Sequence, residues 1–144
     1  MASRLGPEIS PSRPTLIIGA DTVVESEGII LEKPADPEEA KRVLASLSGR
    51  THHVHTGVAL LIPHADVERR FSVTTEVTFA TLSPSVIDTY VATGDSMDKA
   101  GSYGIQGMAA AFVSSIHGCY FNVVGLPVHR VCTELAHLVE EGIL

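Results

Sequence analysis

Apolar and polar positions follow two rhythms along this chain, and the switches between them mark its elements. Thr15-Leu16-Ile17-Ile18-Gly19-Ala20 is a continuous run ending at Asp21. Its length and β-branched content predict a central strand covered on both faces. Val23-Val24 leads to an acidic turn around Glu25–Gly28, and Ile29-Ile30-Leu31 reads as a short returning strand. Asp36-Pro37-Glu38-Glu39 is a helix start: Asp36 can accept free amide bonds, Pro37 suits the first position, and the glutamates favour the positive end of the dipole. Ala40, Val43, Leu44 and Leu47 then recur at helical spacing, and Gly49 stops the helix.

Thr51–Ile62 and Arg70–Phe79 are β-rich runs joined by Pro63-His64-Ala65-Asp66, which predicts an antiparallel hairpin. Ser83-Pro84 opens a second helix through about Ala92, closed by Gly94. Gly94–Gly107 holds four glycines and is mostly polar, so it reads as a functional loop or a broken helix. Ala109–Ile116 reads as another strand, with a turn at His117-Gly118. A last helix runs from about Pro127 to Glu141, with Val128, Val131, Cys132, Leu135 and Val139 on one face. Residues 1–14, with three prolines and no apolar periodicity, read as a loose leader to one domain over 15–144. The expectation is an α/β fold, a mixed sheet with flanking helices.

Composition narrows the function classes. The chain has 144 residues, the size of one domain. Apolar residues make up 44% and charged residues 19%, a globular balance. Its longest apolar runs, Gly57–Ile62 and Gly107–Val113, fall far short of the roughly 20 residues that span a bilayer. Ten Lys and Arg against 17 Asp and Glu give a net charge of -7. That lacks the basic footprint of a nucleic-acid binder, so no nucleic-acid polymer and no membrane is expected as a partner. A phosphorylated ligand would need a few placed cations or a metal against this field. Cys119 and Cys132 form no metal or disulfide spacing and read as reduced cysteines of a cytoplasmic domain.

Four places carry candidate chemistry. Asp21, placed by the pattern at a strand's carboxyl end, can hold a divalent metal or take a proton from water; the plainer alternative is a turn cap beside Thr22. Lys33, between Glu32 and Pro34, can neutralise a phosphate oxygen or simply be a solvated lysine. In Asp98–Gly107, glycines admit a ligand close to the backbone, Lys99 offers charge, and Gln106 offers a donor and an acceptor. His52, His53 and His55 do not make a three-histidine site, because strand alternation puts His52 on the face opposite His53 and His55.

Taken in order, several strings resemble the Maf family of nucleoside triphosphate pyrophosphatases. They include Ile17–Val24, Leu31–Pro34, Leu47–His52, Thr56–Ala59, Tyr90–Gly94, Met97–Gly101, Tyr103–Gly107 and Asn122–Pro127. The resemblance implies a fold related to that of inosine triphosphate pyrophosphatases, with a cleft between two lobes. It implies hydrolysis of a nucleoside triphosphate, dTTP or UTP for this pattern, to monophosphate and diphosphate with a divalent cation, Mg or Mn. Asp21 matches the proton acceptor and would hold the metal, Thr22 and Gln106 match positions of substrate choice, and Lys33 and Lys99 match cleft lysines.

Family members start with a strand ending in a Ser-x-Ser-Pro-Arg-Arg-like loop, well before the Ala-Asp-Thr strand. Here Ser10-Pro11-Ser12-Arg13-Pro14 directly precedes Thr15, so the expectation is a Maf-like domain truncated at its N-terminus, without that phosphate-binding unit. A homodimer is expected to cover the apolar surface so exposed. The alternative is a catalytically impaired Maf remnant acting as an interaction module.

Overall fold

The strictest alternation in the sequence becomes the spine of the molecule. In the computed structural model, which describes residues 15–144, β3 runs Thr51–Ile62 and pairs along its full length with β4, Val67–Phe79. His52, Val54, Thr56, Val58, Leu60 and Ile62 all point to one buried face. With period-two alternation over 12 residues, a one-residue slip would turn that whole set to the other face, so the hairpin register is strongly specified. Pro63–Ala65 forms a single tight turn, and Asp66 closes it in the left-handed region at φ 52°. The expected leader over residues 1–14, with Ser10–Pro14, lies outside the described residues.

On the other side of β3 lies β1, Ile17–Ser26, which turns at Glu27-Gly28 into the short edge strand β2, Ile29–Leu31. β5, Val113–His117, pairs with β4 and completes the order β2-β1-β3-β4-β5. Every pairing among these strands is antiparallel, so the sheet read from the sequence as mixed is antiparallel throughout the described residues. Helices α1 (Pro37–Leu47), α2 (Pro84–Ala92), α3 (Tyr120–Val124) and α4 (Val128–Glu140) accompany the sheet and give the α/β fold.

Three local readings of the sequence need correction. β1 is not buried on both faces: Ile18 remains 43% exposed and only Val24 is fully buried. The strand also continues past Asp21 to Ser26, so Asp21 sits in mid-strand, opposite Gly57, rather than at a carboxyl end. An apolar run cannot announce how many layers will cover it. Likewise Ala109–Ile116 is only half strand: Met108–Phe112 is a 3₁₀ turn, and extended structure begins at Val113. The short helix α3 was not anticipated, because five residues are too few to show a helical period.

Helix α1 forms where its signals stand. The Asp36 carboxylate accepts the Glu39 amide at 2.7 Å, and the Glu39 carboxylate reaches back to the Ala35 amide at 2.7 Å. Such a cap contributes about 1 kcal/mol. Ala40, Leu44 and Leu47 are fully buried. They join Val24, Val54, Val77, Phe79 and Tyr90 in the larger of two apolar clusters. The smaller one, Val58, Leu60 and Ile62, lies beneath Val131 and Leu138 of α4. Between the clusters β3 carries Thr56, and a polar seam of Thr22, Thr56, Asn122 and Thr75 separates them.

Candidate functional site

The seam emerges at the surface beside a cavity of about 330 Å³, within the range of small-ligand sites. β1 supplies one wall with Ala20, Asp21, Thr22 and Val24, α3 supplies Val123 and Val124, and the glycine-rich loop supplies Asp98–Ala100 and Tyr103–Gly107. Asp21, Thr22, Lys33, Lys99 and Gln106 all line this one cavity, though 85 positions separate the first from the last.

Packing of the loop onto β1 brings them together. Gly101 has φ +67°, and a Cβ there would stand 2.9–3.0 Å from the Val24 side chain. Only glycine permits that approach. The Gly101 amide donates to the Glu32 carbonyl at 3.3 Å, which ties the loop to the segment carrying Lys33. Ser102 takes φ 63° without being glycine, and its hydroxyl is buried without a hydrogen-bond partner. Backbone strain of this kind is concentrated at functional loops.

Beneath the loop, the Tyr103 hydroxyl and His52 Nε2 are 2.8 Å apart. The His52 ring sits edge-on to Phe79 and Tyr103, with centroids at 4.9 and 5.4 Å. Burial, with a smaller contribution from the charge of His53, pushes the imidazole down to about 4. Burial pushes the Tyr103 hydroxyl up. Neutral His52 therefore forms a buried platform for the loop.

Lys99 is placed by Gly104. A Cβ at Gly104 would stand 2.5 Å from Lys99 Cε and 2.7 Å from Cδ, so the lysine stem lies where a side chain would be. Its ammonium donates to the Asp95 carbonyl at 3.0 Å and to the Asp98 carboxylate at 2.7 Å. That leaves one of its three hydrogens for a ligand. The bond to Asp98 raises the Lys99 pKa, and Asp98 is lowered in turn by Lys99, with a smaller contribution from Lys33. Lys33 itself is exposed, next to buried Pro34. Asp21 is exposed too, and its Oδ1 accepts the Thr22 amide at 3.0 Å, leaving Oδ2 for a ligand or water.

A cation fits this cavity only in company. Among the described residues no three of His, Cys, Asp and Glu are placed to hold a metal. Asp21 offers one carboxylate, and Mg²⁺ is commonly held by one or two carboxylates plus substrate phosphates. The donor set thus suits an ion arriving with a phosphorylated ligand.

The histidines divide as alternation predicts. His52 is buried, while His53 and His55 stack at 6.0 Å on the opposite face, each near Glu25. Cys119 and Cys132 are free. Thr56 and Asn122 fall in strings that carry the family resemblance, but the sequence reading assigns them no role. The available signal was a hydroxyl residue inside the apolar stripe Val54, Thr56, Val58, Leu60.

The fold agrees with the sequence match: the Maf-like protein family matches residues 2–138, and the chain belongs to that family. Among curated relatives, the dTTP/UTP pyrophosphatase of Chlorobium luteolum is 50% identical over 139 residues, 96% of this chain and 70% of that protein. That of Moorella thermoacetica is 53% identical over 116 residues, 81% of this chain and 60% of that protein. That of Bacillus cereus is 51% identical over 120 residues, 83% and 62% respectively. The chain thus spans 60 to 70% of the lengths of these relatives. No helix among the described residues is long and apolar enough to cross a membrane.

Proposed function

We propose that the chain is a nucleoside triphosphate pyrophosphatase that hydrolyses dTTP and UTP to monophosphate and diphosphate. The carrying observation is the convergence of Asp21, Thr22, Lys33, Lys99 and Gln106 on one cavity. Asp21 is the general base: with Oδ1 held by the Thr22 amide, Oδ2 is oriented to take a proton from water attacking the α-phosphorus. Lys33 and the free hydrogen of Lys99 stabilise charge developing on the phosphate oxygens. Thr22 and Gln106 select the base, one by its hydroxyl and the other by an amide that both donates and accepts. A divalent cation, Mg²⁺ or Mn²⁺, held by Asp21 and the phosphates would supply Lewis-acid polarisation of a phosphoryl oxygen.

The names of the relatives support the substrate class. A homodimer is part of the proposal, supported by Ile29 and Ile30, which are 63% and 50% exposed on the edge strand. The cytoplasm is its compartment, in keeping with the free cysteines.

Incubation with each nucleoside triphosphate in isotopically labelled water tests the reading. Preference for dTTP and UTP is expected, with diphosphate released and the label in the monophosphate. Purine preference, release of single phosphate, or label in the diphosphate would overturn it.

A further inference from the structure

The hydroxyl oxygens of Thr22 and Thr56 lie 2.8 Å apart across β1 and β3. That distance does not say which hydroxyl donates. The next bond decides it, because Thr56 Oγ1 also lies 2.9 Å from the carbonyl oxygen of Asn122, a group that only accepts. A threonine hydroxyl has one hydrogen, and Thr56 gives it to Asn122. Thr22 is therefore the donor in the pair. Its hydrogen is directed into the sheet, and only lone-pair capacity remains for the cavity that Thr22 lines.

The relay is anchored so that it does not reverse. Thr56 and Asn122 are both fully buried. The Asn122 amide nitrogen donates to the Val54 carbonyl at 2.9 Å and to Thr75 Oγ1 at 3.0 Å. Thr75 in turn donates to the Cys119 carbonyl at 3.1 Å. Backbone carbonyls at Asn122, Val54 and Cys119 set every direction in this chain. A Cβ at Gly125 would stand 3.6 Å from Thr22 Oγ1, so glycine there keeps a side chain out of contact with that oxygen.

We propose that Thr56, which does not itself line the cavity, is a positioning residue for base selection: it fixes the Thr22 hydroxyl as an acceptor that takes the N3–H of a uracil or thymine ring. Cytosine carries a lone pair at the same ring position and meets a second lone pair there. A site built to bond a polar hydrogen rejects an analogue lacking it far more strongly than an apolar pocket rejects a lost methylene. This inference rests on the proposed pyrophosphatase reading and deepens it.

The test compares kcat/KM for UTP, CTP and 3-methyl-UTP in the unaltered chain, Thr56→Val and Thr56→Ser, with equilibrium binding of UTP measured alongside. The unaltered chain is expected to favour UTP over both analogues. Removing the Thr56 hydroxyl frees the Thr22 hydrogen to turn toward the ligand, so the UTP-to-CTP ratio falls by about tenfold in the valine variant. The serine variant restores the ratio. An unchanged ratio in a folded valine variant would overturn the inference while leaving the pyrophosphatase reading intact. Equal turnover of UTP and 3-methyl-UTP by the unaltered chain would do the same, whether or not the variants fold. A chain that neither binds nor cleaves UTP would overturn the functional reading, and this inference with it.

Discussion

Acid should unfold this protein partly through one imidazole. His52 is fully buried, its Nε2 is 2.8 Å from the Tyr103 hydroxyl, and the Phe79 and Tyr103 rings pack against it. Burial, assisted by the charge of His53, lowers its pKa from 6.5 to about 4. In the unfolded chain the same group takes a proton near its ordinary value. Because the folded value is the lower one, the contribution to stability is complete above about pH 6.5 and is lost as pH falls toward about 4. That interval corresponds to about 3 kcal/mol, at roughly 1.4 kcal/mol per unit. Against a typical total of about 5–15 kcal/mol this is a large share.

His52→Gln removes the titration while keeping a hydrogen-bonding partner for Tyr103, since a glutamine amide both donates and accepts. Urea unfolding followed by circular dichroism, at several pH values between 7 and about 4, gives a stability curve for each protein. Carboxylates titrate in both, so the difference between the curves isolates His52. The gap between them should change by about 3 kcal/mol in favour of the glutamine variant as pH falls. Parallel curves would refute the reasoning and mean that His52 takes its proton without leaving the core.

Asp21→Asn should lower kcat by about 10²–10⁴ while leaving the melting temperature nearly unchanged, as turnover and thermal unfolding on the same samples would show. Gly104→Ala places a methyl group where the Lys99 stem lies, so the KM for the triphosphate should rise by roughly tenfold in steady-state kinetics, from the loss of about one charge-assisted bond. Leu44→Ala empties a fully buried position in the larger cluster and should cost about 2–5 kcal/mol in urea unfolding. Light scattering at micromolar concentration should return the mass of two chains, and a monodisperse monomer would remove the dimer from the proposal.

Local chemistry was legible in the residues themselves. Asp36-Pro37-Glu38-Glu39 starts a helix because its caps and dipole partners lie within one turn, and the helix begins at Pro37. Thr51–Ile62 alternates without a break, and all 12 residues form one strand. The same alternation separates His52 from His53 and His55 before any coordinates are known. The candidates Asp21, Thr22, Lys33, Lys99 and Gln106 could also be named, chiefly through the family resemblance.

Their meeting was decided by tertiary packing. Lys33 and Lys99 reach one cavity because Gly101 packs against Val24 and its amide bonds to Glu32, contacts between segments far apart in sequence. Asp21 proved to be a mid-strand residue because β1 finds partners on β3 from Ile17 through Glu25, and an apolar run carries no record of where its neighbour's pairing ends. The direction of the Thr22 hydrogen lies further still from the sequence. It follows from a carbonyl on α3, 100 positions away, which accepts the single hydrogen of Thr56. Propensity and periodicity are properties of adjacent residues, whereas a hydrogen-bond chain through a core exists only after strands and helices have closed around it.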